Sequence, residues 1–139
     1  MSGVSLEGRA RERIYHDARR KKQLLSLLSH ENKWCRNAEA QNSSGDPVRY
    51  DEAGAVAWDI TGALCHLFGW QRACELFAQV DRHIQGKPTF LGLRLQDTVF
   101  RSMAALQNFN DSGDTTFGVL RGVLETMPIW HGHARPATP

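Results

Sequence analysis

The fold of this chain is decided by residues 56–84, which read VAWDITGALCHLFGWQRACELFAQVDRHI. In the first half, apolar residues recur every three or four positions, so one face of a helix carries Val56, Ile60, Ala63, Leu64 and Leu67. Asp51 is a favourable N-cap before this helix, and Gly69 suits the position just after its end. The pattern therefore predicts a buried helix that begins near Asp51 and ends at Gly69.

The second half of the stretch, residues 70–84, predicts another helix directly after the first. Its core-facing stripe comprises Ala73, Leu76, Phe77, Val80 and Ile84, and Gly86 with Pro88 marks its end. The short turn at Gly69 predicts that the two helices form an αα-hairpin. Gly62 lowers the helix propensity by about 1 kcal/mol relative to Ala, and we expect the close approach of another helix to compensate.

Three further helices are predicted around this hairpin, over residues 6–29, 95–108 and 115–127. Asp114 or Thr115 is the expected cap of the last one. Residues 42–47 are dense in turn formers and predict a surface loop, with Trp34 and Cys35 anchoring its start on the core. No segment shows the alternation of a β-strand. The predicted fold class is all-α, a single-domain bundle of about five helices.

Length and cysteine content restrict the class of protein. A chain of 139 residues is long enough to bury a core without disulfides or a structural metal. No apolar run approaches the ~20 residues that cross a bilayer, and the N-terminus lacks the apolar core of a signal peptide. Cys35, Cys65 and Cys74 have no short paired spacing, which favours reduced thiols and a cytoplasmic protein without a cofactor.

The charge of the chain is segregated. The net charge is only +2, but residues 7–22 contain seven basic and three acidic side chains. We accordingly divide the chain into a basic helical segment (residues 1–23), a helical domain (residues 24–127) and a tail predicted to be disordered (residues 128–139).

Several short motifs in the domain resemble those of a family of small bacterial and phage proteins known only as a domain of unknown function. They are Trp34, the stretch AWDITGAL at residues 57–64, and Phe109-Asn110-Asp111 followed by Thr115-Thr116 and a closing helix. The family pattern has Trp where this chain has Phe109. The resemblance covers about residues 31–127 and implies a single helical domain with a mobile-element background. It implies no catalytic role, because no activity is established for that family.

Two groups of residues could in principle carry chemistry. Asp59 and His66 lie seven positions apart, on the same face of the first predicted helix, as an acid that orients a general base would. Seven residues span ~10 Å of helix, too far for direct contact, and no nucleophile is identifiable. Cys35, Cys65, Cys74 and His66 are potential metal ligands, but they lack the close pairs typical of zinc sites. We predict neither a catalytic residue nor a metal site.

The segment at residues 108–111, Asn-Phe-Asn-Asp, allows two interpretations. Its polar groups could bind a base or an amide ligand, or they could satisfy the ends of the helices on either side. Helix ends require such partners, which favours the structural interpretation.

The basic segment supplies the candidate binding residues: Arg9, Arg13, Arg19, Arg20, Lys21 and Lys22. Arginine binds phosphates and carboxylates, so both nucleic acid and an acidic protein surface are candidate partners, and a merely solvated helix face is the alternative. Few aromatic residues lie among these charges for stacking on bases. We predict a small non-enzymatic binding or accessory protein of phage or plasmid origin that acts through protein–protein contacts. Low-specificity nucleic-acid binding is the alternative, and a small enzyme using Asp59 and His66 ranks below both.

Overall fold

The computed structural model describes residues 18–87 and 99–127. The start of the predicted first helix, the connection at residues 88–98 and the predicted tail lie outside this part of the chain. Helices account for 61% of the described residues, which confirms the largely helical fold class. In chain order these residues form α1 (18–27), a 3-10 turn (Glu31–Lys33), β1 (Ala40–Gln41), β2 (Pro47–Val48), β3 (Ala57–Trp58), α2 (Ile60–Phe68), α3 (Trp70–Ile84), α4 (Val99–Asp111) and α5 (Phe117–Thr126).

A small antiparallel sheet, with strand order β2-β1-β3, corrects the prediction that the chain has no strands. Ala40 is the residue of β1 that lies opposite both Val48 and Trp58. Each strand is two residues long, too short for an alternating pattern to be recognisable in the sequence. The predicted loop at residues 42–47 is largely the turn between β1 and β2, where the Asn42 side-chain oxygen accepts hydrogen bonds from the amides of Ser44 and Asp46.

Helix α2 begins at Ile60, so Asp51 is not its N-cap. Asp51 instead pairs with Arg49 at 3.1 Å in the turn that precedes β3. The amide of Val56 donates to the carbonyl of Gln41 at 2.8 Å. The residues predicted to start the helix are therefore hydrogen-bonded to β1. Val56 is consequently 40% exposed, not part of a buried helix face.

The other helices follow the sequence pattern more closely. Helix α3 and its start after Gly69 are confirmed, and Gly69 adopts a positive φ of 81°. Helix α4 extends to Asp111, three residues beyond its predicted end. Helix α5 begins after Thr116, whose hydroxyl oxygen accepts from the amide of Val119, so neither Asp114 nor Thr115 is the cap.

All five α-helices of the described residues contribute to one core. The fully buried side chains are Leu24 and Leu28 near the end of α1, Ile60 and Leu64 of α2, Leu76, Phe77 and Val80 of α3, Leu106 of α4, and Leu120 and Leu124 of α5. Trp34 and Cys35 are also buried, as predicted for the segment that leads into the β1–β2 turn.

Gly62 is required by a close approach of backbone, not by the helix packing that the sequence suggested. A β-carbon at this position would lie 1.9 Å from the carbonyl oxygen of Glu39. That oxygen accepts a hydrogen bond from the amide of Asp59 at 3.1 Å, at the start of α2. The absence of a side chain at Gly62 thus lets the segment before β1 pack directly on α2.

We predict opposite effects for alanine at two helical glycines. Gly62→Ala should lower the free energy of unfolding by about 1–3 kcal/mol, because the backbone of Glu39 must move. Gly122→Ala in α5, where a β-carbon meets nothing within 4 Å, should raise it by up to about 1 kcal/mol. Urea denaturation of both variants measures these changes, and a Gly62→Ala protein as stable as the unaltered one would contradict the close approach of the Glu39 backbone.

Candidate functional site

Asn110, near the end of α4, is fully buried and makes four hydrogen bonds. Its Oδ1 accepts from the Trp34 indole N–H at 2.7 Å and from the amide of Ile60 at 3.0 Å. Its Nδ2 donates to the carbonyl of Cys35 and to Oδ1 of Asp111, both at 3.0 Å. The side-chain amide therefore uses its full bonding capacity to join α4, the first turn of α2 and the segment at Trp34.

Neighbouring contacts extend this junction to α5. Asp111 also accepts from the amide of Asn37 at 2.8 Å. The Arg36 guanidinium lies over the Trp34 ring at 4.5 Å and donates to the carbonyl of Thr115. The Phe117 ring of α5 contacts the ring of Trp34. The structure thus favours the structural interpretation of residues 108–111, since the polar groups of Asn110 are occupied within the protein.

Asn110→Ala should destabilise the protein severely, by about 3–5 kcal/mol, because it leaves the Trp34 indole N–H, the Ile60 amide and the Cys35 carbonyl without this partner. Asn108→Ala, at an exposed position two residues earlier in the same helix, is the matched control and should change stability by less than about 0.5 kcal/mol. Equal effects of the two substitutions in denaturant unfolding would show that the buried amide is dispensable.

The arrangement expected of a small enzyme with Asp59 and His66 is contradicted. Asp59 is buried and caps α2, with its Oδ1 accepting from the Gly62 amide at 2.6 Å and from the Thr61 hydroxyl at 2.9 Å. His66 is exposed to solvent, and its ring lies 4.7 Å from that of Trp58. The acid is therefore buried in the cap of α2 while the imidazole faces solvent, so the two groups do not form a shared buried site.

Burial raises the pKa of Asp59 from its ordinary value of 3.8 to about 6, although the hydrogen bonds from Gly62 and Thr61 act in the opposite direction. An acid whose pKa is raised by folding stabilises the protein while it is protonated. This contribution is complete below pH 3.8 and is lost as the pH rises through about 6.

Asp59→Asn removes this titration and keeps an acceptor for the Gly62 amide. Between about pH 4 and pH 7, the unfolding free energy of the variant should rise relative to that of the unaltered protein by about 2 kcal/mol. Asp114→Asn, which changes an exposed carboxylate, is the control and should show no such trend. Parallel pH profiles for Asp59→Asn and the unaltered protein would contradict the role of burial.

Cys35 and Cys65 are buried core residues, and Cys74 is partly buried. Burial raises the pKa of both Cys35 and Cys65 to about 12, so the two thiols are poor nucleophiles at neutral pH. Across residues 18–87 and 99–127, no three His, Cys, Asp or Glu side chains are grouped so that they could hold a metal ion.

Two of the predicted binding residues attach α1 to the rest of the protein. Arg20 donates to the carbonyl of Leu67 near the end of α2, and its guanidinium lies 5.7 Å from the centre of the Phe68 ring. Lys21 donates to the carbonyls of Glu125 and Met127 at the end of α5. Cations are favourable at the carbonyl ends of helices, so these two side chains stabilise the domain.

Helix α5 makes the reciprocal contact with α1. Arg121 donates to the carbonyl of Leu25 at 2.5 Å and to that of Leu28 at 3.4 Å, at the end of α1. Each of these two helices therefore supplies a cation to the end of the other. The position of α1 is fixed by these contacts and by the burial of Leu24 and Leu28.

Arg19 and Lys22, like Arg20, are exposed, whereas Arg9 and Arg13 lie outside the described residues. In an α-helix, Arg19, Lys22 and Ser26 share one face, because they are separated by three, four or seven positions. The sequence could not separate Arg19 and Lys22 from the two cations that bind carbonyls, since all four are consecutive.

Ser26 also lines a shallow groove of about 380 Å³, and we call it the α1 groove. Apolar side chains line most of it, with one cation, Lys33. The described lining residues are Gln23, Ser26, Leu27, Lys33, Ala55, Val56, Trp58 and Leu67. The groove could not be predicted from the sequence, because the apolar periodicity places Val56 on a buried helix face.

Comparison of the chain with protein-family models, with curated proteins and with solved structures gave no match. The resemblance to the bacterial and phage family therefore stays a prediction from the motif residues. None of the described helices is long and apolar enough to cross a membrane.

Proposed function

We propose that this chain is a non-enzymatic binding protein that recognises an acidic, partly apolar segment of a partner protein through the α1 groove. The observation that carries the proposal is the combination of an apolar groove with exposed cations beside it. By helical spacing, Arg19 and Lys22 share a face of α1 with Ser26, which lines the groove, and Lys33 lines it directly. None of the described residues that line the groove carries a carboxylate.

The rigidity of α1 supports this proposal. Arg20 and Lys21 bind the ends of α2 and α5, so the exposed cations project from a fixed helix. A fixed arrangement lowers the entropic cost of binding. Opposite charge on the partner would speed association and fix its orientation, while apolar side chains in the groove would supply affinity.

The groove favours a protein partner over nucleic acid. A phosphate backbone would make no use of Leu27, Val56 and Leu67, which line the groove. Trp58 is only 7% exposed, so it offers little ring surface on which a base could stack.

We place the protein in the cytoplasm, in keeping with its reduced cysteines, and a phage- or plasmid-borne modulator of a host complex agrees with the family resemblance.

A random peptide library displayed on phage tests the proposal directly. Selection on the unaltered protein should enrich peptides that combine Asp or Glu with Leu, Phe or Trp. Charge reversal at Arg19 and Lys22, to Glu at both positions, should weaken a selected peptide about tenfold or more. Arg101→Glu on α4 is the control, because Arg101 is an exposed cation away from the groove, and it should have no effect.

Two results would contradict a protein partner. One is enrichment of peptides without acidic residues, or of peptides whose affinity is unchanged by charge reversal at Arg19 and Lys22. The other is binding of a mixed-sequence DNA duplex that is tighter than any selected peptide and falls steeply with salt, as phosphate contacts require.

A further inference from the structure

A second cleft, of about 240 Å³, lies on the opposite side of α2 from the α1 groove. Gly62 and Cys65 line this cleft, whereas Leu67 lines the groove. Cys65 and Leu67 are two positions apart, about 200° around a helix. We call it the Glu39 cleft, and its lining residues are Glu39, Tyr50, Thr61, Gly62, Cys65, Trp70, Met103 and Gln107.

The carboxylate of Glu39 is held in place within this cleft. Its Oε2 accepts from the amide of Tyr50 at 2.8 Å, while the backbone carbonyl of the same residue accepts from the amide of Asp59. The residue is exposed, so the carboxylate is accessible to a ligand. A charged acceptor that is already oriented loses little entropy when it binds a cation.

Further carboxylates lie close to Glu39, and the nearby cation Arg49 is paired with Asp51. An adjoining cleft of about 350 Å³ shares Glu39 and Gln107 and adds the carboxylates of Asp59 and Asp111. No described residue that lines either cleft is Lys or Arg. Clefts lined by one sign of charge concentrate oppositely charged ligands.

Aromatic and thioether surface distinguishes the Glu39 cleft from a simple acidic patch. Trp70 is 42% exposed, yet its ring makes an edge contact with the buried ring of Phe77, with centroids 6.1 Å apart. Met103 adds apolar surface from α4. An aromatic ring in the same cleft as a carboxylate suits an organic cation, because the ring attracts the charge and covers its aliphatic stem.

We propose that the Glu39 cleft binds an organic cation, a guanidinium or ammonium group on an aliphatic stem. The charged group faces the carboxylate of Glu39, and the stem lies against Trp70 and Met103. An arginine or lysine side chain of a polypeptide and a free polyamine share this chemistry. The site is independent of the α1 groove, which has the opposite charge.

NMR titrations of the full chain test this site with defined probes. N-acetyl-arginine-N′-methylamide represents a polypeptide side chain, spermidine represents a free polyamine, and N-acetyl-citrulline-N′-methylamide is the neutral analogue of the first. At least one cationic probe should shift the Trp70 indole signal and the amide signals of Glu39 and Gln107, and the citrulline compound should not. The probe that binds more tightly identifies the source of the cation.

Substitutions distinguish specific binding in the Glu39 cleft from non-specific electrostatic attraction. Glu39→Gln retains an acceptor for the Tyr50 amide but should weaken the cation about tenfold. Trp70→Leu should weaken it about threefold. Glu31→Gln, at an exposed carboxylate outside the cleft, should change nothing. The proposal fails if neither cation binds, if the citrulline compound binds as tightly, or if Glu39→Gln and Glu31→Gln behave alike.

Discussion

The structure depends on the buried side-chain amide of Asn110. A buried amide is costly unless all of its donors and acceptors are satisfied, and this one joins three segments that are distant in sequence. It accepts from Trp34 and from Ile60, the first residue of α2, and it donates to the carbonyl of Cys35. Because the first amides of a helix have no partner within the helix, the bond to Ile60 also fixes where α2 begins.

This architecture explains the motif residues from which the resemblance to the bacterial and phage family was predicted. Trp34 and Asn110 form the junction, Asp59 caps α2, and Gly62 admits the backbone of Glu39. These residues stabilise the fold. The α1 groove and the Glu39 cleft are the surfaces that we propose to bind partners. The two proposed binding surfaces are separated by α2 and differ in charge, so they suit different ligands.

The sequence predicted those features that depend on local periodicity. Helix α3 was predicted with its observed bounds because a regular apolar stripe lies between two glycines. The start of α2 was wrong, because hydrogen bonds to the sheet override the apolar pattern near Val56. The roles of Arg20 and Lys21 depend on the distant ends of α2 and α5, so no local pattern could reveal them. The α1 groove and the Glu39 cleft each combine residues from several segments, so no local pattern could reveal them either.

Hydrogen exchange of the Trp34 indole N–H, followed by NMR in deuterated buffer, tests the central role of Asn110 most directly. If the junction holds the domain together, this proton exchanges only when the whole domain unfolds, with the same opening free energy as the slowest backbone amides of α2 and α4. Rapid exchange at Trp34 while those amides remain protected would contradict it, because the junction would then open without loss of the fold.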